Sequence, residues 1–256
     1  MLGSVLGCSR GDLLTVDELS EESLAACQVL VDRRVAEGLP VAYLVGQRGF
    51  YDLSLAVDER VLVPRPETET LVEVFVDLDQ TGLVPPGPVA DWGTGSGAVA
   101  LVTARRRPVL AIDRSLPALE LAAINVASRD LGGAPRSGAI QLAQCDGLSA
   151  VRPGSLAAVL ANPPYVEPDE WAGLPDDVRH EPFNALVPRD GDVAELYDTL
   201  ARQAALALSP RGWLLTEIGW GQAERVVQSC VEAGLTSVQR HRDLAGVERV
   251  IVAQRL

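Results

Sequence analysis

Apolar positions follow two rhythms along this chain, and the rhythm changes near residue 89. Before that point the spacing is mostly helical. Leu24, Cys27, Val31 and Val35 recur at intervals of three and four, which predicts a helix with one apolar face. Ser20 stands where a cap is needed, Glu21 and Glu22 follow in the first turn, and Gly38 and Pro40 stop the run. A single helix cannot bury its own stripe, so neighbouring elements are expected. Residues 47–63 read as short extended segments broken by Asp52 and Asp58, a hairpin. Helical spacing returns after Pro66, with Leu71, Val72, Phe75 and Val76 as the expected buried side, and a linker rich in Gly and Pro covers residues 81–88.

From Val89 onward, short apolar runs alternate with helical stretches. Strands are predicted at residues 89–92, 109–112, 140–143, 156–161 and 212–218, and helices after Gly97, after Ser115, over 191–208 and over 222–233. Ser115 can cap the helix that carries Leu119, Ala122, Ala123 and Val126, and Pro117 is tolerated in its first turn. Segments 238–242 and 247–253, joined by a turn at 243–246, suit an antiparallel hairpin. The pattern is that of an α/β protein with an open sheet. Such sheets place their ligand crevice at the C-terminal strand ends, and the candidate chemistry of this chain falls there.

Asn162-Pro163-Pro164-Tyr165 follows the apolar run 156–161. A planar NH2 group needs two acceptors in its own plane, and the Asn162 side-chain oxygen and the Pro163 carbonyl can supply them. The two prolines stiffen the turn and offer no competing N–H. Tyr165 can stack on the flat face of the target, or it can pack beneath a turn that merely ends a strand. A second group is Gly93-Thr94-Gly95-Ser96-Gly97 after the run Val89-Ala90-Asp91-Trp92. Glycines let the main chain approach a ligand, and free N–H groups at a helix start favour polar or anionic atoms. The run Val109-Leu110-Ala111-Ile112 ends at Asp113, whose carboxylate can accept both ribose hydroxyls of a nucleoside. Gly93, Gly95 and Ala98 also satisfy a dinucleotide fingerprint, so loop and carboxylate alone leave a nicotinamide cofactor and S-adenosylmethionine both open. The Asn162 group separates them, because hydride transfer has no use for acceptors that pin an NH2 group.

Composition narrows the setting. At 256 residues and 47% hydrophobic the chain can bury a sizeable core, and one main domain is expected. No apolar run reaches the roughly 18 residues of a membrane span, and no basic leader precedes one, so a monomeric cytoplasmic protein is expected. Cys8, Cys27, Cys145 and Cys230 have no zinc-ligand spacing, no metal site is expected, and the four read as small buried side chains. The net charge of −13 disfavours duplex nucleic acid as a partner, and Arg105-Arg106-Arg107 reads as a solvated helix end.

The chain resembles the peptide chain release factor glutamine methyltransferases, within the class I S-adenosylmethionine-dependent methyltransferases. The matching stretches are Val61-Leu62-Val63-Pro64-Arg65-Pro66-Glu67-Thr68-Glu69, the loop from Gly93 to Gly97, Asn162 to Tyr165, Glu181-Pro182 with Ala185-Leu186, and Glu217-Ile218-Gly219. The resemblance implies a seven-stranded class I methyltransferase sheet with a C-terminal antiparallel hairpin. It divides the chain into a small helical substrate-recognition region (1–46), a connecting hairpin (47–64) and a methyltransferase domain (65–256). It implies that Gly93, Thr94, Gly95, Ser96, Gly97, Asp113, Asp146, Gly147 and Asn162 bind S-adenosylmethionine and its product S-adenosylhomocysteine. Asn162, Pro163, Pro164 and Tyr165 would then hold a release-factor glutamine, with Asn162 and Pro163 as the catalytic acceptors. Arg65 and Glu69 either orient that pocket or form a helix-start ion pair. Adenine-N6 or ribosomal-protein glutamine methylation, and a catalytically silent cofactor-binding module, are the alternatives. Two positions depart from the family pattern: Gly147 stands where an aromatic residue is common, and Trp92 where a smaller apolar residue is usual. The N-terminal region is shorter than usual by a helix or more, which implies a shortened form or a misassigned start.

Overall fold

The computed structural model describes residues 1–8, 11–128 and 139–256. Its first region is helical: α1 (Leu2–Leu6), a 3₁₀ turn (Asp12–Thr15), α2 (Glu21–Glu37) and α3 (Val41–Val45). Ser20 caps α2 by accepting from the Ser23 N–H, and Gly38 closes it in the left-handed conformation, as the sequence predicts. The expected apolar stripe is not covered. Leu24 is 51% exposed and Val35 81%, while the half-buried line of α2 runs through Ser23, Cys27, Leu30 and Arg34. The face turned to the protein is therefore the more polar one. It is tied down by Arg34, which donates to Asp177 at 3.0 Å and to the Leu39 carbonyl at 2.8 Å.

The hairpin is β1 (Gln47–Phe50) with β2 (Leu53–Ala56), shorter than the predicted 47–63. Residues 57–66 continue without regular structure, yet Val57, Val61 and Val63 are buried. Helix α4 (Glu67–Gln80) buries Leu71, Val72 and Phe75 as expected, with Thr68 and Val74 in addition.

The main sheet has the order β5-β4-β3-β6-β7-β9-β8. Strands β3 (Val89–Trp92), β4 (Val109–Asp113), β5 (Ile140–Gln144), β6 (Leu156–Ala161) and β7 (Leu208–Glu217) run parallel, and β9 (Glu248–Gln254) enters antiparallel between β7 and β8 (Thr236–Arg242). All six residues of β6 are buried, because it is central and covered on both faces, which is why it reads as a continuous apolar run. The edge strand β8 alternates instead. Alternate residues feed two cores. Ala90, Val159, Ala161 and Leu214 pack against α9 (Val193–Ala207) and α10 (Ala223–Glu232), while Val89, Ala158, Leu160 and Leu215 pack against α4 and α5 (Ala98–Thr103).

The chain reverses its direction of strand addition between β3 and β6, so a crevice opens there at the C-terminal strand ends. Helix α6 (Leu116–Ala127) is capped by Ser115. Two short helices, α7 (Asp176–Arg179) and α8 (Phe183–Leu186), fold over the rim after β6. Arg105, Arg106 and Arg107 lie past the end of α5 and pair with Asp52 and Asp79, an ion-paired surface turn. Among the described residues no helix is long and apolar enough to cross a membrane.

Candidate functional site

A cavity of about 670 Å³ occupies the crevice, within the usual range for small-molecule sites. Gly93, Thr94, Gly95, Ser96, Asp113, Asp146, Gly147, Asn162, Pro164 and Arg65 all line it. Residues scattered over almost a hundred positions of sequence thus share one wall.

The loop after β3 owes its shape to glycine. Gly93, Gly95 and Gly97 have φ of 70°, 53° and 84°, values that side-chain-bearing residues adopt only at a cost. Asp91 organises the loop from below. Its Oδ2 accepts from Thr94 Oγ1 at 2.6 Å and from the Ala100 N–H at 3.0 Å. Burial pushes its carboxyl up to about 7, against those two hydrogen bonds, and the nearby Asp113 charge adds to the rise. The free N–H groups expected at the helix start are thereby reduced, since Ala100 already has a partner. Gly97 is set back from the cavity, and a Cβ there would sit 3.6 Å from the Ala122 side chain. Its role is close packing of loop on helix. Asn125, buried on α6, donates to the Ser96 carbonyl at 2.8 Å and pairs with Ala56 through both its amide atoms. Nothing in the apolar pattern of α6 marks it for that task.

Asp113 ends β4 as predicted. One of its oxygens accepts from the Gly95 N–H and the other from the Ser115 N–H, both at 2.9 Å. A carboxylate oxygen has two acceptor sites, so each keeps one for a ligand hydroxyl. Asp146 is exposed on the rim. Beside it Gly147 has φ of 60°, and a Cβ there would fall 2.1 Å from Gln203 Oε1 and 3.0 Å from Trp92 Nε1. The two departures from the family pattern therefore meet in space. The Trp92 indole lies against Gly147, where the Gln203 oxygen accepts from the Leu148 N–H at 2.8 Å, and the indole N–H is buried with no partner.

At the other end, Asn162 and Pro164 line the cavity while Pro163 is buried. Tyr165 takes the packed alternative: its ring lies against the core, its hydroxyl donates to Glu217 Oε1 at 3.4 Å, and its carbonyl accepts from Gln222 Nε2 at 2.8 Å. The Asn162 Nδ2 donates to Thr68 Oγ1 at 3.0 Å, and Thr68 donates in turn to Glu217 Oε2 at 2.7 Å. Glu217 is fully buried at the end of β7, and burial pushes its carboxyl up to about 7. Its sequence signal is a carboxylate that ends an otherwise apolar strand.

Arg65 and Glu69 do not pair. Arg65 precedes α4, so the four-residue spacing that joins side chains within a helix does not apply to it. It pairs with the buried Glu181, which also accepts from the Val63 N–H at 2.8 Å. Burial raises the Glu181 carboxyl, and the Arg65 guanidinium opposes the rise. Glu69 faces away from the cavity, where its carboxylate accepts from the Tyr51 N–H at 2.8 Å. Of the cysteines, Cys230 is buried, whereas Cys8, Cys27 and Cys145 are half-buried and Cys145 lies on the cavity wall.

Residues 67–174 match the family described as Methyltransferase small domain, and residues 1–46 match the PrmC N-terminal domain. Among solved structures, a methyltransferase from Pyrococcus furiosus aligns with a TM-score of 0.55 at 15% identity, covering 91% of this chain and 98% of that one. The hMettl16 catalytic domain aligns with a TM-score of 0.60 at 17% identity, over 78% of this chain and 75% of that one. Likeness at that level establishes the class I methyltransferase sheet. Sequence relatives are nearer. A release factor glutamine methyltransferase of Xylella fastidiosa is 37% identical across 99% of this chain and 90% of its own length. One of Escherichia coli is 35% identical with the same coverage. With a glycine loop, a strand-end carboxylate and an Asn-Pro-Pro-Tyr turn on one cavity, and similarity along nearly the whole length, this chain belongs to the release factor glutamine methyltransferase family.

Proposed function

We propose that the protein transfers a methyl group from S-adenosylmethionine to the side-chain amide nitrogen of the glutamine in the Gly-Gly-Gln loop of peptide chain release factors. One observation carries the reading: Asn162, whose geometry suits an NH2 group, opens on the same cavity as Asp113 and the glycine loop. The residues fit the cofactor. Asp113 keeps acceptor capacity on both oxygens for the ribose hydroxyls. Gly93, Thr94, Gly95 and Ser96 would hold the methionine end, with Gly97 packing that loop on α6, and Asp146 and Gly147 would hold the adenine end. When bound, S-adenosylmethionine supplies an electrophilic methyl group on a sulfonium.

The chain's own residues do the positioning. Asn162 Oδ1 and the Pro163 carbonyl accept the two amide N–H bonds, which orients the nitrogen toward the methyl and makes an intramolecular-like approach possible. Arg65, held by Glu181, and the stiff Pro164 shape the entrance. Glu69 acts indirectly, by anchoring the β1–β2 hairpin to α4. After transfer the methylated nitrogen is acidic enough to lose one proton to water, so no dedicated base is needed. The helical region 1–46, with its exposed apolar side chains, recognises the protein substrate. Residues 47–64 connect it to the methyltransferase domain at 65–256 and contribute to the cavity wall. A cytoplasmic monomer that acts on a protein and not on duplex nucleic acid agrees with the charge of −13.

The test is transfer of labelled methyl to a release factor, to its Gln→Ala variant, to a ribosomal protein and to DNA. Incorporation into the release factor alone, abolished in the variant, is expected. Labelling of DNA or of the ribosomal protein alone rejects the reading, and cofactor binding with no transfer to any candidate marks a silent module.

A further inference from the structure

We infer that Thr68 and Glu217 are positioning residues that set the polarity of Asn162, so that its oxygen and not its NH2 group faces the substrate amide. The inference rests on the role given to Asn162 above and adds what enforces it. An ionised carboxylate is acceptor-only, and a threonine hydroxyl has one proton to give. Thr68 spends that proton on Glu217 Oε2 at 2.7 Å. Only its lone pairs remain, and Asn162 must meet them with Nδ2, as it does at 3.0 Å. The amide is thus oriented by a chain of two hydrogen bonds that begins at a buried negative charge.

Protonating Glu217 removes the constraint. The neutral acid can donate to Thr68, whose proton is then free for Asn162 Oδ1. The amide turns over and presents N–H bonds to a target that also carries N–H bonds. Two donors in apposition bind poorly, because each is left unsatisfied in a site withdrawn from water.

Groups on every element around Glu217 bear on its charge. Thr68 and Glu67 face it from α4, Tyr165 from the turn after β6, Arg249 from β9 and Tyr197 from α9. Burial raises its carboxyl, Glu67 adds to the rise, and Thr68, Arg249 and Tyr165 lower it; the balance lies near 7. Methyl transfer therefore rises with pH through about 7. Stability moves the other way. A carboxyl whose folded value is raised stabilises the fold fully below its unfolded value, and that contribution is lost as pH rises through the folded value. Asp91 has the same sign. His241, lowered by burial, has the opposite sign and acts below its ordinary value of 6.5. Between about pH 6.5 and 8, turnover should climb while Tm falls, so unfolding cannot account for the acid limb.

The decisive experiment measures kcat on a release factor, Tm, and calorimetric affinities for S-adenosylhomocysteine and a Gly-Gly-Gln peptide across that range. The wild type, Glu217→Gln, Thr68→Val, Thr68→Ser and Asn162→Ala are compared. The wild type should show the rising limb, and Glu217→Gln should be flat and slower than the wild-type plateau. Thr68→Val should lose about tenfold in kcat and in peptide affinity, the scale of one hydrogen bond, with S-adenosylhomocysteine affinity unchanged. Thr68→Ser should restore both. If Asn162→Ala is inactive while Thr68→Val keeps wild-type kcat and peptide affinity, the inference is overturned and the proposed function stands. An acid limb retained in Glu217→Gln also overturns it. Full activity of Asn162→Ala overturns the role of Asn162 itself. Should Glu217→Gln fail to fold, the Thr68 pair still decides.

Discussion

Helices α2 and α9 are nearly equal in length, 17 and 15 residues, and both begin with a side-chain cap, Ser20 in one and Asp192 in the other. Their fates differ. Helix α9 buries Val193, Tyr197, Leu200, Ala201, Ala204 and Ala207 against the sheet, while α2 buries nothing. Forming a helix is a local matter of capping and propensity, whereas covering its apolar face requires a partner surface. The sheet supplies one to α9. The N-terminal region gives α2 short helices and the tether from Arg34 to Asp177, while its apolar hold on the sheet domain lies at Ala42 and Tyr43 of α3, which pack with Val57, Val61, Ala118 and Leu121. The sheet thus has a covered core and the cavity at its strand ends, while the apolar side chains Leu24, Val29 and Val35 of α2 remain exposed.

The largest test of this contrast compares core with N-terminal region. Leu160→Ala, at a fully buried position of β6, should cost about 2–5 kcal/mol and lower Tm throughout the sheet domain. Val35→Ala, at an exposed position of α2, should stay within about 0.5 kcal/mol. Equal shifts in calorimetry would erase the distinction. Next in size is ligand binding at the rim of the sheet. Asp113→Ala should weaken S-adenosylhomocysteine by about 1.5–3 kcal/mol, as for hydrogen bonds made to a charged group. Titration of Arg34→Ala should match the wild type.

Gly147→Ala comes third. The left-handed backbone alone should cost about 1–2 kcal/mol, and the new Cβ displaces the Gln203 oxygen from the Leu148 N–H. Chemical denaturation measures the loss, and an unchanged midpoint would mean that the β5 end can relax around the methyl group. Smallest is the tether itself. Arg34 and Asp177 are each about a third exposed, so Arg34→Ala should cost only about 0.2–1 kcal/mol. It should appear as faster amide exchange in α2 with no change in Tm, and a drop in global Tm would show that the two regions unfold together.

The sheet domain was the more legible of the two regions. Its strands fall where short apolar runs predict them, with β6 the clearest, and the C-terminal hairpin closes as expected around Asp243 and Gly246. Helix α2 is equally legible as a helix, but its stripe predicts a buried face that the structure leaves open, because periodicity names the side that would be covered and not whether anything covers it. In the site, Asp113 and the glycines were readable because strand ends and positive backbone angles leave local marks. The place of Glu69 is not legible in the sequence: a spacing of four residues has no geometric force across a helix start, and its partner, the Tyr51 N–H, comes from the separate β1–β2 hairpin.

What the sequence determined by itself is whatever depends on residues a few positions apart: the caps at Ser20 and Ser115, the turn at Gly93, Gly95 and Gly97, the stiff Asn-Pro-Pro turn, and the alternation that builds an α/β sheet. Tertiary structure alone decided the partners. Arg65 meets Glu181 across 116 residues and Thr68 meets Glu217 across 149, and the Trp92 indole comes to rest against Gly147. The raised Glu217 carboxyl belongs to the same class, because desolvation is a property of the place a side chain occupies in the folded chain and not of the residue. Packing brings distant segments together, removes water from between them, and so fixes which donor faces which acceptor.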